Sequence, residues 1–360
     1  MSDALKIAGF VGRSIAAGLA AAFVVVLIRP DLIRTMRPAP TAPTSSYADA
    51  VLASSPAVAN VYTERTLNGI GGRSDLALRG RALGSAVVIS RDGYLVTNWH
   101  VIRDADEIRV QLADGRVATP ELVGADPETE LALLRVNLPN LPAIELGRSD
   151  SLRVGEVVLA IGNSLGLSQT VTMGIVSATG RGPLGVTTFA DFIQTDAAIN
   201  IGNSGGALVN TSGELVGINT AVISSPVGDQ APPEGIGFAI PVNLVRGVMA
   251  QLIAHGRVIR GYLDVETTNL PARDARSFGI EDGPAVLLRA VNGPAAAAGL
   301  LPGDALTHIN DTRVFSQEQA MTMVASQQPG ERVRIGASRP DGERIVTEAV
   351  LEERPLREGS

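Results

Sequence analysis

Ser204 is the first residue that could do covalent chemistry. It lies in Ile201-Gly202-Asn203-Ser204-Gly205-Gly206-Ala207-Leu208, a serine set between glycines inside a short apolar run. Glycine has no Cβ, so the backbone on either side can turn tightly and aim its N–H groups outward. An exposed hydroxyl with backbone donors beside it is what a serine nucleophile and a developing oxyanion require. Alone, the stretch reads equally well as a turn, the usual use of Gly, Ser and Asn clusters. A nucleophile needs a base, and the chain holds 3 His. His255 ends an apolar-periodic helix just before Gly256, where a cationic cap is expected. His308 sits in a short strand running into a turn and reads as an ordinary surface or half-buried residue. His100 closes the strand-like run from Tyr94 and is followed by charges. By itself it would be structural; paired with a glycine-flanked serine and a carboxylate it reads as a general base.

These residues need a rigid frame, and the pattern around them is β-rich. Gly84-Ser85-Ala86-Val87-Val88-Ile89 reads as a strand, and Arg91-Asp92-Gly93 as the hairpin turn into the strand from Tyr94 to Thr97. Ile108, Val110 and Leu112 alternate with polar residues ahead of a second turn at Asp114-Gly115. Residues 131–136, 156–161, 170–177 and 215–219 continue the pattern. Many short strands with frequent turns predict a sandwich or paired barrels. Pro241 to Ile253 has apolar residues at helical spacing, with Pro at its start and Gly256 beyond its end.

Composition narrows the chemistry. The net charge is −7, with no blocks of Lys or Arg, which argues against nucleic acid as a partner. The absence of Cys excludes disulfides, a thiol nucleophile and Cys-based metal sites. Three scattered His and no H-E-x-x-H argue against a zinc protease, so neither a metal nor a cofactor is expected. Near the N-terminus, Ser14 to Ile28 is an uncharged run between Arg13 and Arg29. It is shorter than the roughly 20 residues that span a bilayer, and residues 7–12 extend it if Arg13 snorkels. Lys6 and Arg13 suit a signal n-region, but Arg29-Pro30 follows in place of a small-residue cleavage site. An uncleaved anchor over residues 1–28 is the favoured reading and a cleaved signal peptide the alternative. Residues 29–46, with Pro30, Pro38, Pro40 and Pro43, read as a spacer.

Three motifs in order carry a resemblance: Thr97-Asn98-Trp99-His100-Val101, then Thr129-Glu130-Leu131-Ala132-Leu133-Leu134, then Gly202 to Asn210. Together with the flanking Phe192 to Asn200, they resemble the HtrA (Deg) serine proteases, and within them the membrane-anchored, single-PDZ, DegS-like branch. The resemblance spans roughly residues 45–353. It implies a mainly β chain: a chymotrypsin-like protease domain of two six-stranded barrels over 47–257, then one PDZ domain over 258–353. It also implies His100 as base, Ser204 as nucleophile and an oxyanion hole made by the N–H groups of Gly202 and Ser204. The position of the usual Asp acid holds Glu130, one methylene longer; Asp126 is a second nearby carboxylate, read first as a turn residue before Pro127. Ile199 and Ile218 would line an apolar specificity pocket, favouring cleavage after small aliphatic residues. Arg181, in Ser177 to Arg181, matches a loop that relays PDZ occupancy. The stretch Arg260 to Val265 matches the loop that captures a peptide C-terminal carboxylate, with Tyr262, Leu263, Asp264 and Val265 as the binding residues. Asp264 stands where the family usually has Gly.

Further implications are a homotrimer built around the N-terminal segments, with Tyr47 and Tyr62 in that stretch, and a single-pass inner-membrane location with the bulk in the periplasm. Implied substrates are misfolded envelope proteins or a membrane anti-sigma factor, cut in an envelope stress response. Two alternatives stand beside this: a chaperone or adaptor that binds unfolded chains without cutting, and a general quality-control protease.

Overall fold

The computed structural model describes residues 9–10, 14–21, 25, 46–67, 78–163, 169–181, 191–200, 202–220 and 235–355, with side chains at 66–67, 78–81 and 181 outside the description. The chain divides into two units, Met1–Tyr47 and Ala48–Ser360. In the first, residues 14–21 are helical with Ile15 and Leu19 exposed. Much of the expected anchor and nearly all of the Pro-rich spacer lie outside the described residues. No helix among the described residues is long and apolar enough to cross a membrane.

The second unit begins with a helix, Ala48–Ser54, and then strands β1 (Val58–Leu67), β2 (Leu78–Val88), β3 (Tyr94–Asn98), β4 (Glu107–Gln111), β5 (Val117–Ala118), β6 (Glu121–Asp126) and β7 (Leu131–Arg135). They form an antiparallel sheet in the order β5-β4-β1-β2-β3-β7-β6. The turns read from Asp92-Gly93 and Asp114-Gly115 are present, with Gly93 and Gly115 at φ +99° and +88°. At Gly93 a side chain is excluded twice over, since a Cβ there would lie 2.1 Å from the Val136 carbonyl oxygen.

Strands β8 (Val157–Gly162), β9 (Thr170–Arg181), β10 (Phe192–Thr195), β11 (Ala207–Asn210), β12 (Leu215–Thr220) and β13 (Gly237–Pro241) close a barrel in the order β10-β13-β12-β11-β8-β9. Val158, Ala160, Val176, Leu208, Val216 and Ala239 fill it. Of the two six-stranded barrels expected, one is present as a closed barrel. The N-terminal half is a seven-stranded sheet, because its edges β5 and β6 pair only with β4 and β7 among the described residues.

The helix expected from Pro241 runs Val242–His255 and buries Val242, Val245, Val248, Met249 and Leu252 at helical spacing. Gly256, at φ +70°, ends it by donating its N–H to the Leu252 carbonyl, so His255 does sit in the last turn. A C-terminal body follows: β14 (Gly261–Tyr262), β15 (Val265–Leu270), β16 (Ala285–Val291), β17 (Ala305–Ile309), β18 (Thr312–Arg313), β19 (Arg332–Ser338), β20 (Arg344–Val350) and β21 (Glu352–Glu353). The sheet order is β15-β16-β17-β19-β20, and a helix, Gln317–Ala325, packs beside β15. Val286, Leu288, Ile309, Val333 and Ile335 form its core. Each such side chain contributes roughly 1.5–3 kcal/mol by leaving water.

Candidate active site

β3 delivers His100. The strand ends at Asn98, and a single helical turn, Trp99–Ile102, carries the imidazole outward. The first N–H groups of any helix lack intrahelical acceptors. Here Glu130 supplies them: its carbonyl accepts from Trp99 N–H at 3.0 Å and from the Asn98 side-chain amide at 3.1 Å, and its carboxylate Oε2 accepts from His100 N–H at 3.1 Å. The same Oε2 lies 2.8 Å from His100 Nδ1. Glu130 therefore fixes both the backbone and the ring of His100. To do so it adopts φ +59°, a left-handed conformation that costs a non-glycine residue about 1–3 kcal/mol. Its side chain is nearly buried, whereas that of His100 is 21% exposed, so the ring faces the open side. With Nδ1–H donated to the carboxylate, Nε2 is left as the basic nitrogen.

The other carboxylate in question is committed elsewhere. Asp126, at the end of β6, is buried, accepts from the Thr129 hydroxyl, and meets Arg260 with Oδ1 3.0 Å from Nη1. Arg354 and Arg260 both reach Glu128, at 3.1 and 3.4 Å. This ion cluster joins the β6–β7 turn to the segment entering β14, through Arg260, and to the segment leaving β21, through Arg354. Arg260, read in sequence only as part of the peptide loop, is thus a structural tie.

The Ser204 turn precedes β11. Gly202 and Gly205 have φ of +99° and +82°, and a Cβ on Gly205 would stand 2.1 Å from the Ser85 carbonyl oxygen and 2.4 Å from Thr97 Oγ1. Glycine is needed there because the turn presses against β2 and β3, the strand that carries His100. The N–H groups of Asn203, Gly205 and Gly206 donate to the carbonyls of Asn200, Asn219 and Asn203 at 3.0, 2.9 and 2.9 Å. Ser204 as a whole is buried, 4% exposed, because β2 and β12 enclose the backbone of its turn. Ser85 was legible only as strand, yet its N–H and hydroxyl both bond to this turn. A polar residue amid Gly84, Ala86 and Val87 was the available signal.

The remaining expected residues are dispersed around this centre. Ile199 is half-buried against the barrel core, and Ile218, on β12, is fully buried. The backbone of Arg181 ends β9 opposite Phe192; its side chain lies outside the described residues. In the C-terminal body, Tyr262, Leu263, Asp264 and Val265 line a groove of about 380 Å³ between β15 and the helix Gln317–Ala325. Asp264 has φ +57°, which explains why glycine suits this position. Its carboxylate accepts from the Tyr262 hydroxyl at 2.9 Å. Burial, and then Asp264, hold the Tyr262 phenol above its ordinary pKa, while Arg354 over the ring partly offsets them. Among the described residues no group of His, Asp or Glu could hold a metal ion.

Comparison with known proteins agrees with this architecture. Residues 84–218 match the trypsin-like peptidase domain and residues 272–349 the PDZ domain. The chain is 40% identical to serine endoprotease DegS of Escherichia coli (strain K12), over 95% of this chain and 98% of that protein. It is 43% identical to periplasmic serine endoprotease DegP of Escherichia coli (strain K12), over 76% of this chain and 57% of that one. Among solved structures, the HtrA-type protease AlgW with a tripeptide is 48% identical, with TM-score 0.76, over 87% of this chain and 99% of that one. A hydroxyl-bearing glycine turn, an acid-anchored imidazole and a C-terminal groove thus sit in a chain that belongs to the HtrA/DegS family of serine endoproteases, with one trypsin-like peptidase domain and one PDZ domain.

Proposed function

We propose that Ser204, His100 and Glu130 are the catalytic triad. His100 Nε2 takes the Ser204 hydroxyl proton as the oxygen attacks the scissile carbonyl. Glu130 holds the tautomer and balances the imidazolium. The N–H groups of Gly202 and Ser204 receive the oxyanion, and His100 returns the proton to the leaving amine. Water then hydrolyses the acyl-enzyme. The observation that carries this reading is the 2.8 Å contact from His100 Nδ1 to Glu130 Oε2, made while Asp126 is spent on Arg260. Ile199 offers the apolar wall for the residue before the cut, with Ile218 behind it. Such a wall favours small aliphatic side chains.

The groove at Tyr262 to Val265 takes a peptide C-terminus as an added strand on β15, which is a sheet edge. The relative AlgW was solved with a decapeptide and with a tripeptide, which supports a peptide-responsive PDZ domain. Arg181 relays that occupancy to the catalytic turn. On the same reading residues 1–28 anchor the chain, residues 29–46 link it, the bulk faces the periplasm, and three copies assemble. The substrates are misfolded envelope proteins or a membrane-bound regulator.

The test is proteolysis of an unfolded protein by wild type and Ser204→Ala, with and without peptides ending in apolar residues. Cleavage that Ser204→Ala abolishes and peptide raises is expected. Peptide binding without turnover by wild type would replace the protease reading with that of a chaperone.

A further inference from the structure

Ser85 makes four buried hydrogen bonds, and all of them serve the space around the nucleophile. Its hydroxyl donates to the Gly202 carbonyl at 2.7 Å and accepts from Asn163 N–H at 2.9 Å. Its own N–H donates to the Ser204 carbonyl at 2.8 Å. Its carbonyl accepts from the Thr97 hydroxyl at 2.7 Å, three residues before His100. Ser85 itself is 0% exposed.

We infer that Ser85 is a positioning residue for the oxyanion site, an inference that rests on Ser204 being the nucleophile. An amide N–H points opposite to the carbonyl of its own peptide plane, so fixing the carbonyl fixes the donor. Three successive carbonyls surround the Ser204 N–H. Gly202 C=O is held by the Ser85 hydroxyl, Asn203 C=O by Gly206 N–H at 2.9 Å, and Ser204 C=O by Ser85 N–H. Ser85 thus holds the planes on both sides of the Asn203–Ser204 peptide, whose N–H is the proposed donor. The left-handed φ of Gly202 gives this turn an alternative that a glycine reaches at little cost. A hydroxyl bonded to the Gly202 carbonyl is what selects one orientation. The same residue grips β3 through Thr97, so nucleophile, donors and base share one anchor on β2. Rigid support of this sort is how donors stay aimed at the oxyanion.

The experiment measures kcat and KM of the full-length chain on a short chromogenic peptide, with Ser204→Ala as background. Ser85→Ala keeps the backbone bonds and removes only the hydroxyl. We expect kcat to fall about 10- to 100-fold with KM within about twofold. Ser54→Ala is the control: Ser54 is equally buried, and its hydroxyl donates to the Ala50 carbonyl at 2.7 Å, in a helix remote in sequence from the turn. It should lower the melting temperature comparably and leave kcat intact. If Ser85→Ala does not fold, Ser85→Cys retains the shape with a weaker donor and should give a smaller fall confined to kcat. A kcat for the Ser85 variant no lower than for Ser54→Ala, or a loss appearing in KM, overturns the inference while the protease reading stands. A wild type with no turnover overturns both.

Discussion

A single oxygen of Glu130 accepts two hydrogen bonds from His100, one from its backbone N–H and one from its ring Nδ1, at 3.1 and 2.8 Å. The carboxylate therefore sets where the imidazole stands as well as which tautomer it adopts. Glu130→Gln leaves shape but offers an amide that can stabilise the wrong tautomer. We expect kcat to fall about 10³- to 10⁴-fold, the size seen when the acid of the serine–histidine–aspartate template is amidated, with little change in melting temperature. Steady-state kinetics above a Ser204→Ala background checks this.

Glu130→Asp separates backbone from reach. Aspartate tolerates the left-handed region better than glutamate, so the backbone at φ +59° is relieved. The shorter arm draws the oxygen back from Nδ1. The expected outcome is unchanged or slightly higher thermal stability together with about a tenfold lower kcat, since small misplacements of a catalytic group are costly. A fall in stability would show instead that the longer arm was needed to cap the Trp99 turn.

Gly205→Ala places a Cβ against the Ser85 carbonyl in a backbone conformation that alanine resists. The variant should lose more than about 4 kcal/mol in denaturant unfolding, in the range that marks a specific steric defect. Gly115→Ala is the reference, because its φ is also positive but nothing lies within 4 Å of the added carbon. It should lose only about 1–2 kcal/mol.

Asp126→Ala leaves Arg260 buried without its closest partner. Breaking a buried pair from one side costs about 3–5 kcal/mol. The double variant Asp126→Ala/Arg260→Ala should recover part of that loss, which a double-mutant cycle in denaturant unfolding would quantify.

The Tyr262 phenol is held above the ordinary tyrosine pKa by burial and by Asp264. A raised folded-state pKa means the neutral phenol contributes stability in full below about pH 10, and that contribution is lost as pH rises through the folded value. Wild type should therefore lose more stability than Tyr262→Phe between about pH 8 and alkaline pH, by chemical denaturation at matched ionic strength.

Much of this arrangement was readable in advance where local chemistry decides it. Asp92-Gly93 and Asp114-Gly115 signalled turns because only certain residues accept positive φ, and the helix from Val242 showed its apolar stripe. His100 and Ser204 stood out through residue type and context. What stayed hidden depends on partners distant in sequence. Nothing local marks Glu130 as left-handed; that conformation exists to meet Trp99 and His100. β15 reads Val-Glu-Thr-Thr-Asn-Leu because it is a sheet edge with only Leu270 buried, so it lacks an apolar signature. Arg260 looked like a ligand-loop residue because its partner is more than a hundred positions earlier.

On the proposed reading, the base arrives with the N-terminal sheet and the nucleophile with the barrel that follows it. A chain emerging from synthesis therefore carries His100 and Glu130 before it carries Ser204, and the turn at Ser204 is bonded to both β2 and β12. On that reading, a chain of which only one half has folded holds no complete triad.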